Sequence, residues 1–299
     1  VQTIVVPKGD ILATVREVQQ RIANTGQINN EIFCPYTGLR PFNEDESIFF
    51  RGREKHIDTI IETLAAQKFS MVTGSSGDGK SSLLYAGVIP SLKGGFLKTQ
   101  YTKWVVADFR PERTPLKNLS TAIATQLKIR NPDEVEHTLS YGFSALVDLY
   151  KQSTLYVDPT SNEYMEADDD KRKFMRRQAA NLLILVDQFE EFFTNVENYR
   201  EGVASPVAQI TVNVLLETIR IAREQGLPIY VVFTMRSDYI GQCVSFRGFA
   251  EMIGLSTYFV PRLKREEIQE VVESPARLNG NKISNRLVQR ILNDLGDGI

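Results

Sequence analysis

Apolar runs of strand length alternate along the chain with longer stretches of helical period. The strand-like runs cover residues 69–73, 104–109, 182–186, 229–235 and 257–260, and of these 182–186 and 229–235 are apolar on both faces. Strands that are buried on both faces are typical of parallel sheets covered by helices. The pattern therefore predicts neighbouring strands inside a helical shell.

The intervening segments place apolar residues three or four positions apart, which is the spacing of one helix face. These stripes are Ile57, Ile60, Ile61 and Leu64; Leu116, Leu119, Ile123 and Leu127; Val135, Leu139, Phe143, Leu146 and Tyr150; and Ile283, Leu287 and Ile291. Further helices are predicted around 210–222 and 265–274. Strands that alternate with helices predict a three-layer αβα domain with a mostly parallel, five-stranded sheet.

The pattern divides the chain into three regions. Residues 1–32 combine a short strand, a helix and a polar linker, and we interpret them as the end of a preceding region. Residues 33–261 hold the α/β domain, and 262–299 begin a helical domain. Because the chain starts with Val1 and stops just after a helical pattern, we expect an excerpt of a longer protein, with the helical domain truncated.

The segment 158–177 is the most hydrophilic part of the chain, with acidic residues at 168–170 followed by basic residues at 171–173. Such a segment is typical of a solvated loop and helix start. An interaction surface is the alternative interpretation.

Composition narrows the function classes. A formal net charge of −2 gives no basic footprint, which argues against nucleic acid as the main partner. Cys34 and Cys243 are too few for a disulfide framework, and His56 and His137 are too far apart in sequence to suggest a metal site. No apolar run is long enough to span a bilayer and no signal peptide is visible, so we expect a cytoplasmic protein without membrane contact.

The strongest chemical signal is Gly74-x-x-x-x-Gly79-Lys80-Ser81, which matches the P-loop pattern. Glycines allow backbone N–H groups to converge on phosphate oxygens, and the following helix adds its positive end. Lys80 is predicted to contact the β- and γ-phosphates, and Ser81 to ligate Mg²⁺. The predicted nucleotide-binding residues of the loop are Gly74, Ser75, Ser76, Gly77, Asp78, Gly79, Lys80, Ser81 and Ser82.

Hydrolysis also needs an acid for the metal and a group that positions water. Asp187 directly follows the apolar run 182–186, where a Walker B aspartate lies near the metal, so we predict it as the second metal ligand. The next residue is Gln188 rather than a glutamate. Glu190 and Glu191 are the two candidates for the water-activating carboxylate, with Glu190 preferred.

Two further positions complete the predicted site. Arg236 follows the run 229–235, where it can reach the γ-phosphate, report ATP against ADP and stabilise transition-state charge. The alternative is a structural pairing of Arg236 with Asp238 or Glu190. Gly52 and Arg53 precede the P-loop at a position where many switch ATPases hold the adenine.

Taken together, these motifs resemble the STAND group of P-loop ATPases, and most of all the bacterial novel STAND NTPase 1 type that is often fused to WD40-like repeats. The resemblance covers roughly 33–280 and rests on segments 35–42, 49–54, 74–82, 183–193 and 232–238, with 261–263 and 273–276 resembling the start of that group's helical lid. One departure is His56, where the group carries an acidic residue.

The resemblance implies the strand order 5-1-4-3-2, with the strand that ends at Arg236 between the P-loop strand and the Asp187 strand. It also implies an ATP-driven signalling switch that self-associates with ATP, flanked by effector and sensor domains outside this stretch. No Asn-Lys-x-Asp guanine-binding motif is visible, which favours ATP over GTP.

Our leading hypothesis is a slow, Mg²⁺-dependent ATPase that acts as this switch. A nucleotide-gated interaction scaffold with negligible hydrolysis is the second. An ATPase of the AAA type that acts on nucleic acid is the third, and the absence of excess basic charge argues against it.

Overall fold

The computed structural model describes residues 34–254 and 256–295. The strand and helix predicted within 1–32 lie outside the described residues. The α-helices, in chain order, are α1 (Glu54–Gln67), α2 (Lys80–Ser82), α3 (Ile89–Lys93), α4 (Pro115–Leu127), α5 (Pro132–Tyr141), α6 (Ala145–Gln152), α7 (Asn162–Glu166), α8 (Asp169–Gln178), α9 (Glu191–Thr194), α10 (Pro206–Glu224), α11 (Phe249–Gly254), α12 (Arg265–Leu278) and α13 (Asn285–Leu295). A π-helical turn, Leu83–Val88, joins α2 to α3, and 3₁₀-helices cover Glu44–Phe49 and Ser237–Ser245.

The strands are β1 (Phe69–Gly74), β2 (Lys103–Phe109), β3 (Ala180–Val186), β4 (Tyr199–Arg200), β5 (Val203–Ala204), β6 (Ile229–Arg236) and β7 (Thr257–Phe259). The chain folds as two compact units. We call Thr59–Gly77 with Leu92–Val260 the sheet unit, and the described residues of Val1–Asp58, Asp78–Ser91 and Pro261–Ile299 the helical unit. The domain boundaries drawn from the sequence stay predictions.

The sheet unit contains a five-stranded sheet in the order β2-β3-β6-β1-β7, in which all four pairings are parallel. Counted along the chain without the short hairpin β4–β5, this is the predicted order 5-1-4-3-2. The strand β6 lies between β1 and β3, as the resemblance implied. This confirms the predicted fold class, a mostly parallel five-stranded sheet accompanied by helices.

A cluster of aromatic rings packs behind the carboxyl end of β3. Phe189 is fully buried, and its ring stacks on Phe233 of β6 at a centroid distance of 4.8 Å. Phe249 lies at 5.0 Å from Phe189 and Phe192 at 4.8 Å. Burying such large side chains stabilises the core, and it fixes the backbone of the turn that follows β3.

The helical stripes predicted for α1 and α4 are buried, whereas two other stripes are not as predicted. The stripe 135–150 is divided between α5 and α6, and Phe143 in the break is half exposed. Gly142 between the two helices has an extended backbone, which ends the helical path. In α13 the buried residues are Val288 and Leu292, one position beyond the predicted register.

The hydrophilic segment forms α7 and α8 rather than a loop with one helix start. Asp168 caps α8 by accepting a hydrogen bond from the Lys171 N–H, and no residue of α8 is buried. Charge alone did not reveal two helices, because neither carries an apolar stripe. No helix within the described ranges is long and apolar enough to cross a membrane.

Candidate functional site

The carboxyl edge of the parallel sheet gathers the ends of β1, β6 and β3. Gly74 and Arg236 are register partners at the ends of β1 and β6, and Asp187 follows Val186 at the end of β3. Ligands of open α/β sheets bind at this edge. Three separately predicted positions therefore share one edge of the sheet unit, because β6 lies between the other two strands.

Asp187 is buried, with only 1% of the residue exposed. Its Oδ1 accepts a hydrogen bond from the Thr234 hydroxyl at 2.8 Å. Its Oδ2 accepts from Arg110 Nε at 3.1 Å and Nη2 at 2.9 Å. Side-chain donors thus hold both carboxylate oxygens, which orients the group and offsets the cost of burying a charge.

Arg110 and Thr234 were not predicted as site residues from the sequence. Phe109, Val186 and Phe233 are register partners across three strands, so the next residues, Arg110, Asp187 and Thr234, fall in one row. Arg110 directly follows the run 104–109, and Thr234 carries a hydroxyl inside an apolar strand. These were usable signals, but only once the strand order was known.

The turn after Asp187 is tight. Gln188 adopts φ +58°, in the left-handed region, and its N–H donates to Thr234 Oγ1 at 2.8 Å. The Phe189 N–H donates to the Thr234 carbonyl at 2.8 Å. Thr234 therefore holds both the carboxylate and the backbone of the turn, and Gln188 is committed to the turn by its backbone.

The two candidate glutamates lie in different environments. Glu190 Oε2 accepts from the Arg236 N–H at 3.3 Å. Glu191 Oε2 accepts from the Glu112 N–H at 2.9 Å, and it therefore fixes the segment after β2. The catalytic roles of both glutamates, and the preference for Glu190, stay predictions.

The Arg236 guanidinium pairs with Asp238, with Nε at 3.1 Å from Oδ1 and Nη2 at 2.5 Å from Oδ2. It also lies over the Tyr239 ring at 5.4 Å. Asp238 raises the pKa of Arg236 above its ordinary value through hydrogen bonding and charge. The pairing alternative therefore describes this structure, and the side chain is 41% exposed.

The first half of the P-loop belongs to the sheet unit. Ser75, Ser76 and Gly77 are exposed directly after β1. Gly77 and, further on, Gly79 have φ of +88° and +80°, and an added Cβ at either would meet nothing within 4 Å. These two glycines are therefore required by backbone conformation rather than by close packing.

The second half of the P-loop belongs to the helical unit. Lys80 and Ser81 begin α2, and the Lys80 residue is buried to 9% exposure. The Ser82 hydroxyl accepts a hydrogen bond from the Phe42 N–H at 3.1 Å, so this serine also holds the segment predicted to precede the adenine position.

Gly52 and Arg53 also belong to the helical unit. Gly52 has φ +82°, and a Cβ there would lie 2.8 Å from the Glu267 carbonyl of α12, so only glycine fits. Arg53 donates to the Pro261 carbonyl at 2.7 Å and to the Asp78 carbonyl at 3.5 Å. His56 Nε2 lies 3.5 Å from Glu267 Oε1, and burial together with the Arg53 charge lowers the pKa of His56.

The donor set suits magnesium. Mg²⁺ prefers oxygen ligands and is commonly held by one or two carboxylates together with substrate phosphates. Asp187 of the sheet unit offers an oriented carboxylate of this chemistry, and the metal role predicted for the Ser81 hydroxyl stays a prediction. Among the described residues, no group of three or more His, Cys, Asp and Glu side chains is arranged to hold a metal ion.

The parallel sheet order and the P-loop after β1 define a nucleotide-binding P-loop NTPase. The chain belongs to the novel STAND NTPase 1 family, whose model matches residues 35–298. This confirms the resemblance drawn from the motifs.

Several solved structures are similar to this chain. The E. coli MS115-1 HORMA:CdnC:Trip13 complex contains a chain 12% identical, with 87% of this chain and 79% of that chain covered and a TM-score of 0.46. The Aeropyrum pernix ORC2 protein is 16% identical, with 82% of this chain and 55% of that chain covered and a TM-score of 0.47. A Walker-type ATPase of Pyrococcus abyssi is 14% identical, with 87% of this chain and 67% of that chain covered and a TM-score of 0.44. No curated protein matches by sequence.

Proposed function

We propose that this chain is a Mg²⁺-dependent ATPase that hydrolyses ATP slowly and works as a conformational switch. The observation that carries the proposal is the common sheet edge of Gly74, Asp187 and Arg236. Phosphate binding, metal binding and sensing of the γ-phosphate need groups at such an edge.

Each group has a proposed role. Backbone N–H groups of 74–79 and the Lys80 ammonium bind the phosphates, and Ser81 and Asp187 hold the metal. When bound, Mg²⁺ neutralises charge that develops on the phosphate oxygens. Glu190 positions the attacking water, with Glu191 as the other candidate, and Arg236 senses the γ-phosphate.

The slow rate is supported by the contacts of the catalytic candidates. Arg236 is paired with Asp238, and Glu191 holds the Glu112 N–H. A side chain that must leave an existing partner before it reaches the nucleotide adds a barrier to turnover. Binding of ATP would release Arg236 from Asp238, and this change would report the nucleotide state.

Two further parts of the proposal rest on the sequence: a preference for ATP over GTP, with Gly52 and Arg53 near the adenine, and a cytoplasmic setting. Self-association in the ATP state, and effector and sensor domains outside this stretch, come from the family resemblance. A competition assay, in which GTP is titrated against labelled ATP, tests the base preference.

The central experiment is single-turnover hydrolysis of labelled ATP with the protein in excess. We expect ADP from the wild type and none from Lys80→Ala, because the ammonium that contacts the phosphates is removed. Lys117→Ala is the matched control, since Lys117 is exposed on α4. Equal ADP formation by wild type and Lys80→Ala would contradict the proposal.

A nucleotide-gated scaffold with negligible hydrolysis is the second candidate. It is favoured by Gln188 at the position after Asp187 and by the engagement of Glu191 with Glu112. Glu190→Gln separates the two candidates, because it should abolish turnover only if the wild type hydrolyses ATP. A wild type that binds ATP and forms no ADP over hours would favour the scaffold.

A further inference from the structure

Arg110 and Asp187 form an ion pair of unequal exposure inside the sheet unit. The Asp187 side chain is 1% exposed, whereas the Arg110 side chain is 45% exposed. Both Arg110 donors meet the same oxygen, Oδ2, while Thr234 holds Oδ1. The pair therefore joins a fixed, buried anion to a cation with access to solvent.

The backbone beneath Arg110 is held independently of this ion pair. The Asp187 N–H donates to the Phe109 carbonyl at 3.0 Å, and Asn118 Nδ2 donates to the Arg110 carbonyl at 3.0 Å. Glu191 Oε2 fixes the next turn through the Glu112 N–H. The guanidinium can thus move away from Asp187 without unfolding the segment that carries it.

The buried carboxylate of Asp187 needs a nearby positive charge, and Arg110 supplies it. A buried carboxylate without a compensating cation is costly, and removal of one partner from such a pair destabilises the fold. A divalent ion at the same carboxylate would supply more positive charge than the guanidinium. One cation can therefore replace the other while the anion stays compensated.

We propose that Arg110 is a placeholder cation, a positioning residue that occupies Oδ2 of Asp187 before the metal arrives and swings into solvent when Mg²⁺ and nucleotide bind. This inference rests on the proposed function and adds a regulatory step to it. Because Mg²⁺ must displace Arg110 from Asp187, part of the free energy of metal binding is used to break the ion pair. Arg110 therefore raises the Mg²⁺ concentration that nucleotide binding requires.

The test uses Arg110→Gln, which removes the charge and keeps a polar side chain. Arg113→Gln is the matched control, because Arg113 follows in the same segment, is 80% exposed and lies 4.0 Å from Glu197. Thermal unfolding is measured in EDTA without nucleotide. The Mg²⁺ concentration for half-maximal binding of a fluorescent ADP analogue is measured at equilibrium.

In EDTA we expect Arg110→Gln to lower Tm by roughly 5 °C and Arg113→Gln to leave it within about 1 °C. We expect the half-maximal Mg²⁺ concentration to fall about three- to tenfold in Arg110→Gln, since the ion no longer displaces a competitor. The same Arg110→Gln change in an Asp187→Asn background should leave Tm in EDTA unchanged.

Other results would overturn the inference. An unchanged or higher Mg²⁺ requirement in Arg110→Gln would mean that Arg110 supports the metal-bound site instead of yielding to it. An undiminished Tm in EDTA would mean that Asp187 needs no counter-cation. A wild type that binds no ADP analogue at any Mg²⁺ concentration would overturn the proposed function and the exchange together, while the EDTA measurements would still report the ion pair.

Discussion

The two ends of the parallel sheet both bury polar side chains, but the hydrogen-bond partners of those side chains differ in kind. At the carboxyl end, Asp187 carries a charge whose partners are the side chains of Thr234 and Arg110. At the amino end, Asn181 is neutral, and its Nδ2 reaches the carbonyls of Tyr101 and Lys103 and the Thr99 hydroxyl. The buried polar group at the carboxyl end is bound by side chains, which can change partners, whereas the one at the amino end is bound mainly by backbone carbonyls.

A second amino-end cluster combines a hydrogen bond to backbone with a pair of side chains. Tyr150 is fully buried and donates to the Ala180 carbonyl at 2.8 Å. Lys68 donates to the Tyr230 hydroxyl at 3.0 Å and lies over that ring at 4.2 Å, and Trp104 packs on Tyr230 at 5.0 Å. The pKa of Lys68 is lowered by burial.

The contrast separates a structural use of buried polarity from a functional one. Backbone carbonyls keep their positions as long as the sheet exists, so groups that bind them contribute to stability. Side-chain partners can be exchanged for a ligand. We therefore expect loss of the Asp187 charge to change chemistry more than stability, and loss of the Asn181 amide to do the reverse.

The largest expected effect is the loss of turnover in Asp187→Asn. The amide keeps the shape and can still accept from Thr234, but it lacks the negative charge with which a carboxylate binds Mg²⁺. Single-turnover ATP hydrolysis should fall about 10²–10³-fold, equivalent to roughly 3–4 kcal/mol. Urea unfolding should show a much smaller change, and a folded variant with undiminished turnover would contradict the metal role.

The opposite result is expected for Asn181→Leu. The carbonyls of Tyr101 and Lys103 would lose a buried donor, which costs about 2–3 kcal/mol of unfolding free energy. Urea unfolding measures the loss, and binding of a fluorescent ADP analogue serves as the control. Weakened ADP binding with unchanged stability would remove the distinction between the two ends.

The sequence predicted the large elements of this architecture and fewer of the contacts. The five main strands follow from apolar runs, and their order followed from the family resemblance, because pairing between distant segments has no local signal. Asp187 could be predicted because it ends an apolar strand. Arg110 and Thr234 could not be assigned, since their role depends on the register of three strands.

Local features of single residues explain two other differences between the predicted and the observed structure. The break between α5 and α6 comes at Gly142, inside a stripe of apolar residues that periodicity alone reads as continuous. The pairing of Arg236 with Asp238 was one of two interpretations. The sequence does not distinguish an arginine that pairs within its own turn from one that extends towards a ligand, because both have the same local pattern.

Thr234→Val is expected to affect both stability and chemistry, because one hydroxyl joins Asp187 to the Gln188 N–H. Valine keeps the shape but leaves that N–H without its acceptor, at a cost of about 1–2 kcal/mol in urea unfolding. Loss of orientation at Asp187 should slow single-turnover hydrolysis about tenfold.

Thr234→Ser supplies the matched control, since it restores the hydroxyl in a smaller side chain. Single-turnover hydrolysis should be faster in Thr234→Ser than in Thr234→Val, by more than any difference in their unfolding free energies accounts for. Equal turnover in the valine and serine variants would show that the hydroxyl has no part in orienting Asp187.

The smallest expected effect is a pH dependence at the amino end. Burial raises the pKa of Tyr230 from 10.0 to about 12. The folded state therefore keeps a proton that the unfolded state loses, so the stability from this group is complete below pH 10 and is lost between pH 10 and 12. Burial lowers the pKa of Lys68, so its contribution increases as pH approaches 10.5, which opposes the tyrosine.

Tyr230→Phe removes the titrating hydroxyl. At neutral pH it should cost only about 0.5–1 kcal/mol for the hydrogen bond from Lys68. At pH 11 the variant should recover roughly 1 kcal/mol relative to the wild type, because its folded state no longer retains that proton. The chain's one tryptophan, Trp104, lies against residue 230 and reports unfolding by fluorescence. A constant difference in unfolding free energy between variant and wild type from pH 8 to 11 would mean that solvent reaches this hydroxyl. The amino end would then lack the buried, purely structural polar group that the comparison with the carboxyl end assumes.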